Sequence, residues 1–221
     1  MLGAYLFIYE THPPADHPRA AGSVLQEYAE LCRKPRFLAF VLQTGFSTGT
    51  FITIASASSS LMSEALHRPA SEFGLYFAAF PAGFFLGNFV STRLANRARA
   101  DLMVLLGSSL LVITIAIQSA LLLSGHLSPA TLFVPGFFIT LSQGLALPFG
   151  QAEAIATVPR LAGTASGIGV FVQNFCGAAF AQAYGVFANG TVTPMVATAG
   201  LSACLCLVAA VTAISFRTTQ R

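Results

Sequence analysis

The sequence predicts an all-α integral membrane protein, and three observations predict it. Hydrophobic residues make up 55% of the 221-residue chain and charged residues only 9%, against roughly 25% charged in soluble domains. Mean hydropathy is +0.72. Six apolar segments reach the length of about 20 residues that a helix needs to cross the hydrocarbon core. The alternation of a barrel strand is absent, and a helix satisfies its own backbone groups in lipid.

The chain opens with "MLGAYLFI", which is too short to cross a bilayer and lacks the basic flank and cleavage site of a signal peptide. Residues 1–9 read as the remnant of a preceding transmembrane helix. Residues 10–36 read as a soluble loop. Its first part, "THPPADHPRAAG", is turn-rich. Its second part, "SVLQEYAELC", places Ser23 as an N-cap with Gln26 three residues on. Val24, Leu25, Tyr28, Leu31 and Cys32 share one helical face. This predicts a short amphipathic helix on the membrane surface, stopped near Pro35, with a plain linker as the alternative.

Residues 37–221 read as a six-helix bundle with spans at about 37–61, 73–92, 102–124, 129–150, 164–188 and 194–216. The polar joints between them are short, which makes neighbouring helices antiparallel. With the first loop inside, Arg19, Arg33, Lys34, Arg36, Arg93, Arg97, Arg99, Arg160, Arg217 and Arg221 all fall inside and Arg68 alone outside. That bias predicts cytoplasmic termini.

The chemistry in the chain is not that of an enzyme. His12, His17, His67 and His126 lie in loops without metal-ligand spacing, and no hydrolase or metalloprotease motif is present. No phosphate-binding loop, nucleic-acid signature, cofactor or metal site is expected. The cysteines Cys32, Cys176, Cys204 and Cys206 read as small core residues. Intramembrane acids usually mark ion pathways. Here Glu72, Asp101 and Glu153 sit at span edges and none lies deep. A transporter, a channel or a structural subunit remains.

Uncharged polar residues form three stripes. Gln43, Ser47 and Thr50 share a face of the first span. Thr140, Gln143 and Gln151 share one in the fourth. Ser166, Gln173 and Gly177 align in the fifth, with Asn174 beside them. Such stripes either line a water-filled cavity or hydrogen-bond between helices, each bond contributing roughly 0.6 kcal/mol. Gln173, bulky and mid-span, is the strongest cavity candidate. Gly83 with Gly87, and Gly163 with Gly167, form small-xxx-small pairs. Pro81, Pro135 and Pro148 are expected to interrupt their spans, as bending helices in transporters do.

The joint "GNFVSTRLANRARAD", with its preceding helix, resembles the signature loop of the major facilitator superfamily. Gly87, Arg93, Arg97 and Arg99 fit the degenerate copy of that loop after the eighth helix. "RFLAFVLQTGFSTGTFITIASASSSLM" is similar to a seventh helix of the Bcr/CflA drug-efflux family, which typically reads "SASP" where this chain has "SASS". "GLALPFGQAEAIATVPRLAGTASGIGVFVQNFCGA" resembles the tenth and eleventh helices with their turn. Pro148, Ala162 to Ser166 and Gln173 carry that match. The resemblance implies the C-terminal half of a twelve-helix facilitator, running from the end of the sixth helix through the twelfth. It implies a proton-driven antiporter of a bacterial inner membrane that exports small, amphipathic, drug-like compounds by alternating access. Its partners would be the lipid bilayer and an N-terminal six-helix half. The coupling carboxylate would belong to that missing half. The alternative is a non-transporting six-helix subunit or regulator.

Overall fold

A computed structural model describes residues 21–95 and 97–218, with side chains from 25 to 216 apart from Asn96. The remnant helix expected at 1–9 and the turn-rich part of the loop to residue 20 lie outside the described residues, as do Arg19 and Arg221. Among the described residues the structure is helical and contains no strand. Eight α-helices follow in order: α1 Ala21–Cys32, α2 Pro35–Ser60, α3 Ala70–Phe77, α4 Ala79–Leu94, α5 Ala100–Leu123, α6 Pro129–Ala156, α7 Ala162–Phe187 and α8 Thr193–Thr218.

Helix α1 begins at Ala21, so Ser23 lies inside its first turn and not at the expected cap. Of the predicted apolar face, Leu31 is buried while Leu25, Tyr28 and Cys32 are exposed; the side chain of Val24 lies outside the description. The opposite, acidic face is the docked one. Glu27 accepts a hydrogen bond from Thr164 at 2.9 Å, and Glu30 pairs with Arg160.

Pro35 occupies the first turn of α2, where its missing N–H has no intrahelical role to lose. A single π-helical turn, Leu61–Ala65, extends α2 to a continuous 31-residue span. The expected second span is split. Pro81 cannot bond the carbonyl of Phe77 four residues back, and the helix breaks at Ala78 between α3 and α4. Pro81 then falls in the first turn of α4.

Pro135 and Pro148 behave differently from expectation. Helix α6 runs through both without interruption for 28 residues. The carbonyl that Pro135 leaves without an intrahelical partner belongs to Thr131. Gln118 of α5 donates its Nε2 to that oxygen at 3.3 Å and to Leu132 O at 3.1 Å. A freed backbone acceptor that a neighbouring helix satisfies no longer forces a break. The start of α6 is fixed by a capping box. Ser128 Oγ accepts from Thr131 N at 3.2 Å, and Thr131 Oγ1 accepts from Ser128 N at 2.9 Å.

Five helical segments are long and apolar enough to cross a membrane: Pro35–Ala65, Ala70–Leu94, Ala100–Leu123, Pro129–Ala156 and Thr193–Phe216. The 26-residue α7 matches them in length but is not among the five by composition. Its sequence carries Thr164, Ser166, Gln173, Asn174 and Gln182 among glycines and alanines.

Helix α2 is the centre of the bundle and packs against α6, α7 and α8, while α4 leans on α6 and α6 on α5. The core has two apolar clusters. One holds Ile54, Leu61, Met62, Phe80, Leu132 and Phe133. The other holds Leu31, Phe37, Phe40, Val104, Phe149 and Leu161. Gln43, Ser47, Thr50 and Ser108 are buried in the polar layer of the interior.

Backbone contact holds α4 to α6. A Cβ on Gly87 would lie 2.9 Å from Gly144 Cα, and one on Gly144 would lie 2.5 Å from Phe84 O. A Cβ on Gly83 would strike Phe137 O. By contrast, nothing lies within 4 Å of a Cβ built on Gly163 or Gly167. The small-residue contact expected there is not made within the described residues.

One end of the bundle carries the basic residues, and there an ion triad ties three helix ends. Arg36 at the start of α2 meets Asp101 at the start of α5 at 3.3 Å and Glu153 near the end of α6 at 2.5 Å. Its guanidinium also sits 5.4 Å from the Phe40 ring centroid. At the opposite end, Ser60 of α2 and Tyr184 of α7 share a 2.6 Å hydrogen bond.

Candidate functional site

Successive turns of α2 present Thr44, Thr48 and Phe51 on one face, and α6 presents Thr140, Gln143, Leu147 and Gln151 on another. Where these faces meet α3 and α4, a cavity of about 380 Å³ opens. Thr48 and Phe51 line it from α2, and Thr140, Gln143 and Leu147 from α6. Phe77 of α3 and Phe80, Pro81 and Phe84 of α4 complete it. The α3–α4 break thus sits in the cavity wall. Phe77 and Phe80 meet edge to face at 4.9 Å, and Phe51 and Phe80 at 5.9 Å. This wall is aromatic, with a few polar groups, as ligand pockets generally are.

Toward the basic end the same faces of α2 and α6 continue into a cleft of about 60 Å³ against α7. Thr44, Gln151 and Ser166 are its polar lining. A larger groove, about 530 Å³, runs between α5 and α6, but its lining is apolar apart from Thr114 and Thr131. It offers almost nothing to orient a ligand, so the aromatic cavity is the stronger site.

The sequence-predicted residues divide among three surroundings. Thr140 and Gln143 line the cavity. Gln43, Ser47 and Thr50 are enclosed. Gln43 points to α5 and α8, donating Nε2 to Ser108 Oγ at 3.1 Å and to Cys206 Sγ at 3.6 Å. Ser47 contributes its backbone, whose carbonyl accepts from Gln143 Nε2 at 2.7 Å. Gln173 is half-buried with no partner for Nε2 among the described residues. Asn174 is exposed and donates to its own helix at Val170 O. The predicted stripes omit Thr48 and Phe51, which line the cavity from α2, and Thr44, which lines the neighbouring cleft. Their i, i+4 and i+7 spacing is the signal that could have found them.

The loop residues lie at the basic end. Arg93, Arg97 and Arg99 are exposed, and the Arg93 guanidinium rests 4.7 Å from the Phe89 ring centroid. The turn closes tightly, with Arg97 N bonding Leu94 O at 2.9 Å and Ala98 N at 2.8 Å. None of the described acids approaches the cavity wall: Glu27, Glu30, Asp101 and Glu153 belong to the basic end, and Glu64 and Glu72 to the other.

The family model described as Major Facilitator Superfamily matches residues 1–182. No curated protein matches the chain.

Proposed function

We propose that this chain, which belongs to the Major Facilitator Superfamily, is the C-terminal six-span half of a proton-coupled multidrug efflux antiporter of the Bcr/CflA type. The membrane transporter class follows from the family. The finer reading takes α2, α3 with α4, α5, α6, α7 and α8 as six spans. Both termini then lie on the cytoplasmic side of a bacterial inner membrane. The substrate is a small amphipathic compound that passes the cavity between α2, α4 and α6 by alternating access.

The observation that carries this reading is the mismatch between α7 and lipid. The helix is long enough to span and carries no charged residue, yet the polar Ser166, Asn174 and Gln182 are exposed along it, with Gly167 beside them. Polar groups facing hydrocarbon are costly. A second six-helix half, with a water-filled route between the halves, gives that face a suitable neighbour. The proton-coupling carboxylate then belongs to the other half.

The test is the native product in its own membrane. The expected result is a protein near twice 23.1 kDa that extrudes ethidium from everted vesicles until a protonophore collapses the gradient. A 23.1 kDa product with no gradient-dependent efflux would overturn the reading. A variant sharpens it. A Cβ at Gly167 meets nothing within 4 Å in this chain, so Gly167→Leu is expected to change the chain's own unfolding free energy by no more than about 0.5 kcal/mol, as at open surface positions. Export by the complete transporter is expected to fall at least about tenfold, because the new side chain wedges α7 away from the other half. Unchanged export would place no partner against α7.

A further inference from the structure

We infer that the aromatic cavity selects ligands by a hydrogen-bond donor, and that Gln143 is the residue that reads it. This rests on the cavity being the transport site proposed above. The argument starts from where the wall's own protons go. A carbonyl oxygen only accepts, so the Gln143 amide must turn its NH₂ toward Ser47 O, 2.7 Å away. Its Oε1 is then left for the cavity, and no described residue donates to it. The single hydroxyl proton of Thr48 is donated to Thr44 O at 3.0 Å. That of Thr140 is donated to the carbonyls of its own helix, at 3.0 Å to Phe137 O and 3.2 Å to Gly136 O. Both hydroxyls therefore offer lone pairs only.

The polar wall is thus three acceptors, one from each of Thr48, Thr140 and Gln143, with Phe rings on the remaining sides and no carboxylate. A ligand carrying an N–H group satisfies these oxygens. One that presents only acceptors leaves them desolvated and unpaired, which costs more than a missing contact. Ring faces attract cations, so the class of ligand that fits is an aromatic or lipophilic primary or secondary ammonium. A quaternary ammonium keeps the ring attraction and loses the hydrogen bond.

Three naphthalene probes separate these contributions: 1-naphthylmethylammonium, its N,N,N-trimethyl analogue and 1-ethylnaphthalene. Binding to the full 221-residue chain in lipid nanodiscs is measured against empty nanodiscs. The primary ammonium is expected to bind about tenfold tighter than the trimethyl analogue, the effect of one charge-assisted hydrogen bond. In Gln143→Leu that ratio is expected to fall at least about threefold. Equal binding of the two cations by the unaltered chain would overturn the donor reading while leaving the cavity as a site. Leu147→Trp, which fills the cavity, is expected to remove binding of all three probes. Full binding in a folded Leu147→Trp protein, or no binding of any probe to the unaltered chain, would overturn the cavity reading itself.

Discussion

Gly87→Val is expected to lower the unfolding midpoint of the bundle by about 10 °C, from a loss of about 3 kcal/mol. The α4–α6 contact at this level is backbone against backbone. A Cβ on Gly87 would already meet Gly144 Cα at 2.9 Å and would strike Leu141 O. Neither neighbour is the movable end of a side chain, so the helices must separate. Separation also opens the facing contacts of Gly83 with Phe137 and Thr140. Gly163→Val is the control. It carries the same β-branched cost within a helix, but nothing lies within 4 Å of its Cβ, so its midpoint should move by no more than about 3 °C. A thiol-reactive dye reads both variants, because Cys176 and Cys206 are buried whereas Cys32 and Cys204 are exposed and set the baseline. Equal midpoints for Gly87→Val and Gly163→Val would show that α4 and α6 are not in backbone contact.

Arg36→Met is expected to cost about 3 kcal/mol, again read by dye access to the buried thiols. Breaking a largely enclosed pair removes the cation that two carboxylates share. The Asp101 side chain is only 5% exposed, and Arg36 also holds Glu153 at 27% exposure. Removing the cation leaves two carboxylates facing each other at one helix-end junction. Arg36→Lys should recover less than half the loss, since a single ammonium replaces a planar fork reaching two acids. The triple variant Arg36→Met, Asp101→Asn, Glu153→Gln should be more stable than Arg36→Met alone, because neutral partners remove the repulsion between the two carboxylates. A triple variant less stable than the single one would show that each acid contributes mainly through other contacts.

Much of the helical layout is legible in the sequence because lipid enforces it. Apolar runs of membrane length, short joints and turn residues locate the helices to within a few residues; α6 is the main exception, continuing from residue 150 to 156 through "QAEAIA", a run of good helix formers. The prolines show what is not legible. Pro81 and Pro135 are the same residue type in similar runs. One sits beside a helix break and the other is absorbed, its freed carbonyl served by Gln118, 13 residues away. Periodicity cannot report a donor on another helix.

The candidate site shows a second limit. Helix α2 is polar on more than one side, so Gln43 with Ser47 and Thr44 with Thr48 are equally regular stripes. Only the packing of α5 and α8 decides that Gln43 turns inward to Ser108 and Thr48 to the cavity. The ion triad was hidden for a related reason. Its members are 65 and 117 residues apart, and each looks like an ordinary charge at a helix end. On α1, periodicity located the stripe of Leu25, Tyr28 and Leu31, of which Leu31 is buried against the bundle and Leu25 and Tyr28 are exposed. The acids Glu27 and Glu30 add contacts to Thr164 and Arg160 that periodicity does not report.

The polarity of α7 bears on how such a protein is made. A segment enters the bilayer from the translocon according to its own summed hydrophobicity, and Gln173, Asn174 and Gln182 lower that of α7. What holds it is α2, synthesised more than a hundred residues earlier, through the Ser60–Tyr184 bond and the edge-to-face pair of Phe46 and Phe180 at 6.0 Å. In the six-span reading, α2 is already in place to receive α7 when α7 enters the membrane. Tertiary contacts then add to what α7 brings by itself, and substitutions in α2 such as Phe46→Ala should appear as a larger share of misinserted chains with the final loop on the wrong side.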